Sequence, residues 1–122
     1  MRGFGDLEAV IMDRLWSRDS SATVRDVLEV LSADRKIAYT TVMTVMDNLY
    51  RKGWLTRELD GRAFRYAPTD SREKYSAALM REALADSRDA DATLVHFLDG
   101  MTEEDSDALR RALRRRRRRA GS

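Results

Sequence analysis

Two short runs with strand-like alternation, Trp54-Leu55-Thr56-Arg57-Glu58-Leu59 and Arg62-Ala63-Phe64-Arg65-Tyr66, flank Asp60-Gly61 in a chain otherwise patterned for helices. An Asp-Gly step between such runs predicts a two-residue type I′ hairpin, because both central residues need positive φ. That turn pairs Leu59 with Arg62, Arg57 with Phe64 and Leu55 with Tyr66, all on one face of the hairpin. Pro68, the only proline, closes the second strand.

Three helical patterns precede the hairpin. The first is predicted from about Leu7 to Ser17, with Asp6 as N-cap, Glu8 in the first turn, and Leu7, Val10, Ile11 and Leu15 facing a core that Trp16 widens. Ser20-Ser21-Ala22 reads as a short connection. Thr23-Val24-Arg25-Asp26 is a capping box with Asp in place of the usual Glu, and the helix behind it buries Val24, Val27, Leu28 and Leu31. A third helix starts near Ala38 or Tyr39 and runs to about Lys52. Val42, Val45, Met46 and Leu49 form its apolar stripe, and Gly53 is placed to end it in the left-handed conformation.

After the hairpin, Asp70-Ser71-Arg72-Glu73 reads as a capping box opening a helix from about Ser71 to Ser87. A shorter helix spans about Asp91 to Leu98, and Thr102-Glu103-Glu104-Asp105 caps a last one that carries Leu109 and Leu113. The stripes here are modest. Tyr75, Leu79, Leu84, Leu94, Phe97, Leu98, Leu109 and Leu113 are the candidate residues of an interface with a second copy, since short helices of this kind bury themselves poorly alone. Folding back onto the first three helices is the alternative.

Charge is distributed unevenly along the 122 residues. Residues 1–34 carry net −3, residues 35–66 net +4, residues 67–107 net −7 and residues 108–122 net +8. A basic region within a nearly neutral chain points to a polyanion partner, and the acidic stretch suits an interaction role away from it. The run Arg114–Arg119 can bind DNA or membrane lipid, or stand as a solvated, disordered tail with weak non-specific DNA affinity; it has no apolar residues to anchor it in a membrane.

Other classes of function find little support. The chain has no Cys and one His, so thiolate metal sites and disulfides are excluded, and neither a metal nor a cofactor is expected. No Ser/His/Asp set, carboxylate pair in a pocket-forming context or glycine-rich phosphate loop is present, so an enzyme is not expected. No apolar run approaches the roughly 18 residues of a membrane span, and no signal peptide is visible. A cytoplasmic protein without membrane insertion is the expectation.

Three helices followed by a tight hairpin is the order of a winged helix-turn-helix, in which the third helix enters the DNA major groove and the hairpin lies beside it. The predicted fold is mainly α with a small β-hairpin wing, followed by a helical dimerisation domain. Tyr39, Thr40 and Thr41 occupy the first turn of the third helix and can bind phosphate. Met43, Thr44 and Asn48 lie further along and can reach base edges; Arg51 shares that outer face. Arg57, Arg62 and Arg65 stand on the hairpin, where they can meet phosphates or the minor groove. An amphipathic helix with a polar outer face is the plain alternative, but exposed threonines at positions 40, 41 and 44 lower helix propensity without contributing to a core.

The run Ala38-Tyr39-Thr40-Thr41-Val42-Met43-Thr44-Val45-Met46-Asp47-Asn48-Leu49-Tyr50-Arg51-Lys52-Gly53-Trp54-Leu55 resembles the penicillinase-repressor family (BlaI/MecI/CopY type). The likeness continues through Asp60-Gly61-Arg62-Ala63-Phe64-Arg65-Tyr66, and upstream in Gly5-Asp6-Leu7-Glu8, Leu15-Trp16 and Thr23-Val24-Arg25-Asp26-Val27. Specific motifs cover about residues 5–70; residues 71–113 match in helix pattern only. The resemblance implies a homodimer with an N-terminal winged helix and a C-terminal helical dimerisation domain, placed here over 1–70 and 71–113, and the arginine run makes 114–122 a basic tail. It also implies repression from a palindromic operator in double-stranded DNA, often of genes of β-lactam resistance. In one branch a membrane sensor protease triggers cleavage of the repressor between an Asn and a Phe. Here Leu94-Val95-His96-Phe97 resembles that segment, with His96 in the Asn place, although Phe97 also suits the apolar stripe of a dimer core. The copper-responsive branch senses metal through cysteines, which this chain lacks. Two other readings remain: a protein-interaction module on a winged-helix scaffold, and a non-specific architectural DNA binder driven by the arginine tail.

Overall fold

The computed structural model describes residues 4–121. In order the elements are α1 (Asp6–Trp16), α2 (Val24–Leu31), α3 (Tyr39–Arg51), β1 (Leu55–Asp60), β2 (Ala63–Pro68), α4 (Arg72–Asp86), α5 (Ala90–Asp99) and α6 (Glu103–Ala120). The chain divides into two compact units, the first ending at Met80 and the second beginning at Arg81. The first turns of α4 therefore belong with the first unit, where the sequence reading places the boundary at residue 70.

In the first unit, Ile11, Met12 and Leu15 of α1, Val24, Val27 and Leu31 of α2, and Val42, Met46 and Leu49 of α3 meet Ala22, Leu55 and Tyr66 in one buried cluster. Leu7, Val10, Leu28 and Val45 are only partly buried against it, and Met12 takes the place that the helical stripe assigns to Val10. Burying each such side chain fully contributes about 1.5–3 kcal/mol, so α3 is fixed in rotation by its stripe.

Local signals set most helix ends. Thr23 Oγ1 accepts from the Asp26 N–H (3.1 Å) while Asp26 Oδ2 accepts from the Thr23 N–H (3.0 Å), completing the reciprocal box. At the end of α3, Gly53 has φ +89°, the Trp54 N–H donates to the Leu49 carbonyl (2.9 Å) and the Gly53 N–H to the Tyr50 carbonyl (3.0 Å). That bond pair is a Schellman motif. Two expected caps move. Gly5 caps α1 instead of Asp6: its extended backbone lets its N–H reach Glu8 Oε1 (3.1 Å), and Asp6 becomes the first helical residue. Ser71 caps α4 instead of Asp70, its Oγ accepting from the Lys74 N–H (3.2 Å).

The hairpin keeps its face but shifts its register. Leu55 pairs with Pro68, Arg57 with Tyr66, Leu59 with Phe64 and Asp60 with Ala63, so the turn residues are Gly61 and Arg62. Gly61 has φ +65° and no described non-glycine residue has positive φ. A positive first and negative second central φ is the pattern of a type II′ turn, which takes Gly first, not the type I′ turn expected from Asp60-Gly61. Ala22 adds a bridge to the hairpin: its N–H donates to the Tyr66 carbonyl (2.9 Å), and its carbonyl accepts from the Tyr66 N–H (2.8 Å). The connection between α1 and α2 thereby serves as a third, one-residue strand.

An aromatic cluster joins the start of the chain to α4. The Tyr75 ring stacks on Phe4 (centroids 4.2 Å apart, 7° between planes) and meets Trp54 edge-on (4.9 Å) and Trp16 tilted (5.5 Å). Its hydroxyl accepts from the Phe4 N–H (3.0 Å), and Trp16 Nε1 donates to the Asp70 carbonyl (2.9 Å). Tyr75 is buried within its own chain, which corrects its assignment to a surface for a second copy.

In the second unit α5 is capped by Asp89, whose carboxylate accepts from the Ala92 N–H (3.0 Å), and α6 by Thr102, whose Oγ1 accepts from the Asp105 N–H (3.1 Å). The arginine run expected to be disordered is helical through Ala120. Arginine is a strong helix former, and the acidic first turn and basic last turn of α6 both complement its macrodipole.

Both Asp26, through the Thr23 N–H, and Glu8, through Lys52 Nζ at 2.9 Å, are held below their ordinary values of 3.8 and 4.5. A carboxylate depressed by folding contributes stability above its unfolded pKa and loses it as pH falls through the folded value. Stability is therefore expected to fall with pH below about 4. In urea unfolding, an Asp26→Asn, Glu8→Gln double variant should show a smaller midpoint loss between about pH 6 and pH 3 than the parent. Equal losses would remove these two groups as the cause.

Candidate nucleic-acid interface

With Val42, Met46 and Leu49 turned into the core, α3 presents Tyr39, Thr40, Thr41, Met43, Thr44, Asn48 and Arg51 outward, and all seven are exposed. Its first turn is open. Ala38 supplies no side-chain cap, and α3 alone among the described α-helices has no acidic residue in its first turn. The Ala38 carbonyl takes the N–H groups of Thr41 and Val42, which leaves those of Tyr39 and Thr40 directed away from any intrahelical acceptor. An uncapped helix start with exposed hydroxyls and no competing carboxylate is suited to an anion.

One basic side chain lies beside this turn, and two more precede it in the chain. The Arg25 guanidinium lies 5.7 Å from the Tyr39 ring centroid, so α2 contributes a cation beside the first turn of α3. Arg35 and Lys36 are exposed in the connection that leads into α3. None of these three emerges from the helix pattern, because the sequence reading drew its cations from α3 and the hairpin. The net charge of residues 35–66 already held the signal for Arg35 and Lys36; Arg25 needed the packing of α2.

On the hairpin the three candidate arginines divide. Arg62 is exposed at the turn, and among the described residues no hydrogen bond or ion pair engages its side chain. Arg57 is enclosed: its guanidinium sits 4.0 Å from the Tyr50 ring centroid and 4.2 Å from that of Phe64, and donates to Asp47 Oδ1 at 3.0 Å. Hydrogen bonding to the Tyr66 side chain, and then to Asp47, holds it more firmly in the charged form than an ordinary arginine. Arg65 donates to Ser21 Oγ (3.0 Å) and to the Ser21 carbonyl (2.8 Å), with Asp26 at 3.9 Å. Arg57 thus ties β1 to α3, and Arg65 ties β2 to the connection before α2. Both belong to the framework and not to the free face expected of them. Arg51 also bonds Asp47 (2.9 Å) but is three-quarters exposed, so it can exchange that partner for a phosphate.

Hydrophobic side chains stand open elsewhere. Leu59 and Phe64 are exposed on the hairpin, and Leu94, Val95, Phe97 and Leu98 of α5 and Leu113 of α6 are roughly half exposed in the second unit. Leu79, Leu84 and Leu109 are half-buried. His96 is exposed beside Phe97 in α5. Among the described residues, no group of three or more His, Cys, Asp or Glu side chains is arranged to hold a metal ion, and no helix is long and apolar enough to cross a membrane.

The penicillinase repressor family matches residues 4–115. The chain belongs to the penicillinase repressor family. Transcriptional regulator BlaI of Mycobacterium tuberculosis is 50% identical to this chain over 112 residues, covering 89% of this chain and 81% of that one. The solved DNA-binding domain of the repressor BlaI superposes on the penicillinase-repressor chain with a TM-score of 0.53 at 28% identity, over 62% of this chain and 94% of that one. Bacillus licheniformis BlaI, solved as the monomeric form in complex with the blaP half-operator, gives 0.51 at 27% identity over 61% and 89%.

Proposed function

We propose that this penicillinase-repressor chain is a sequence-specific transcriptional repressor that binds a palindromic operator as a homodimer. The open, acid-free first turn of α3, with Thr40 and Thr41 exposed, Arg25 beside Tyr39, and Arg35 and Lys36 exposed in the connection before it, carries the reading. In this account the first turn grips phosphate and fixes the helix in the major groove. Met43, Thr44 and Asn48 then face base edges, where Asn can read adenine and the other two can pack on a thymine methyl. Arg62 at the hairpin turn reaches the backbone or the minor groove beside it.

The homodimer is supported by the apolar side chains of α5 and α6 that stand about half exposed in the single chain. A two-fold dimer requires half-sites about one helical turn apart or a multiple of it. The likeness to BlaI further supports genes of the β-lactam response as targets. Relief of repression by a membrane sensor protease cutting between His96 and Phe97 agrees with the exposure of both residues. Mass mapping of the fragments after induction tests that step, and a cut elsewhere removes it.

Fluorescence anisotropy on the operator duplex tests the interface. Thr41→Ala should weaken binding by about 0.5–1.5 kcal/mol, the net worth of one hydrogen bond. Arg62→Ala should make the salt dependence shallower by about one ion per protomer while leaving base preference intact. A protein-interaction module would show neither effect.

A further inference from the structure

Family similarity ends at Arg115, yet α6 continues through Arg116–Arg119 to Ala120. The six consecutive arginines Arg114–Arg119 are all exposed. At about 100° per residue they point around the whole helix circumference, so they make no one-sided stripe for a partner helix. They also carry one positive charge per about 1.5 Å of axis, against one negative charge per about 1.7 Å along duplex DNA. The acids of α6 do not balance them. The last acid of the chain, Asp107, already pairs with Arg110 at 2.6 Å. From Asp107 to Arg114 the helix rises about 10 Å, about one Debye length at 0.1 M salt.

From this charge density we infer that Arg114–Arg119 form a second DNA-binding element, blind to sequence, which grips duplex phosphates beside the operator. It raises affinity and salt dependence without altering base preference. A lipid surface fits less well, since the run offers no apolar side chain to insert. Duplex DNA is also the polyanion that the first unit of the same chain brings near. The inference rests on the repressor reading for the identity of its duplex and on α6 alone for its chemistry.

The 122-residue chain and a variant with all six arginines changed to Gln are compared on an operator duplex carrying about two helical turns of flanking DNA on each side. Gln keeps nearly the helix propensity of Arg, and a six-Lys variant keeps the charge. About half of an all-round run can face one duplex. The slope of log K against log salt should therefore become shallower by about 3 per protomer in the Gln variant, with affinity about tenfold or more lower near 0.1 M salt. The Lys variant should retain the slope, and both should prefer the operator as the parent does. An unchanged slope in the Gln variant overturns the inference. So does a Gln variant that loses binding to phosphatidylserine vesicles while its DNA slope stays fixed. If the parent shows no operator preference, the repressor reading fails, and the arginine element is still judged by the same slopes on the same duplex.

Discussion

Tyr75→Ala is expected to lower the unfolding free energy by about 3–5 kcal/mol, the range of large aromatic truncations in cores. The ring closes a cluster with Phe4, Trp16 and Trp54, and its hydroxyl takes the Phe4 N–H. Removing it leaves a void beside three aromatic rings and strips that N–H of its acceptor, so both a cavity and a lost hydrogen bond contribute. The residue is buried within the chain, so the association constant of two copies should stay unchanged wherever the variant is folded. Urea unfolding gives the first quantity and sedimentation equilibrium the second. A small stability loss together with collapse of the dimer would return Tyr75 to the interface and contradict the packing described above.

Phe97→Asp should do the reverse. Phe97 is about half exposed on α5 in the single chain, so a carboxylate there costs the isolated protomer little. At the face proposed to meet a second copy, the same carboxylate would be desolvated without a partner. Binding through two linked half-sites exceeds binding through one by about 10²–10⁴. Affinity for the palindromic operator should therefore drop by about 100-fold or more, while affinity for a single half-site is preserved. Retained palindrome affinity would place the dimer interface elsewhere; parallel loss on both duplexes would mean that the first unit had been damaged.

Legibility in the sequence followed the range of the interaction. The reciprocal box at Thr23 and Asp26, the glycine end of α3 at Gly53 and the Thr102 cap depend on residues within one turn of each other, and all three appear as read. The core face of α3 was legible because one helical stripe fixes one face. Hairpin register was not. Moving the turn from Asp60-Gly61 to Gly61-Arg62 changes each partner by two positions and leaves every side chain on its original face. Alternation therefore cannot tell the two registers apart. The Ala22 bridge to Tyr66 and the seating of Arg57 against Tyr66 accompany the observed one. Tyr75 was misplaced because its partners lie at positions 4, 16 and 54, and a helical stripe does not distinguish an aromatic facing its own domain from one facing a second copy.

The candidate interface was half legible. Thr40, Thr41, Met43, Thr44 and Asn48 stand on the exposed side of α3 as the stripe requires. Arg57 and Arg65 look identical to Arg62 in a count of charges, yet they are engaged with Asp47 and Ser21. Only geometry separates a cation available to a phosphate from one that secures the fold. By the same geometry Arg25 joins the candidate interface through Tyr39.

Equilibrium binding of the 122-residue chain to three duplexes of equal length, carrying the palindromic operator, a single half-site or a scrambled sequence, tests the central claim most directly. The measurement is made across a salt series. The account predicts that the palindrome is bound about 10³-fold or more tightly than the scrambled duplex at physiological salt, with the half-site between them. Equal affinity for all three duplexes at every salt concentration would contradict it.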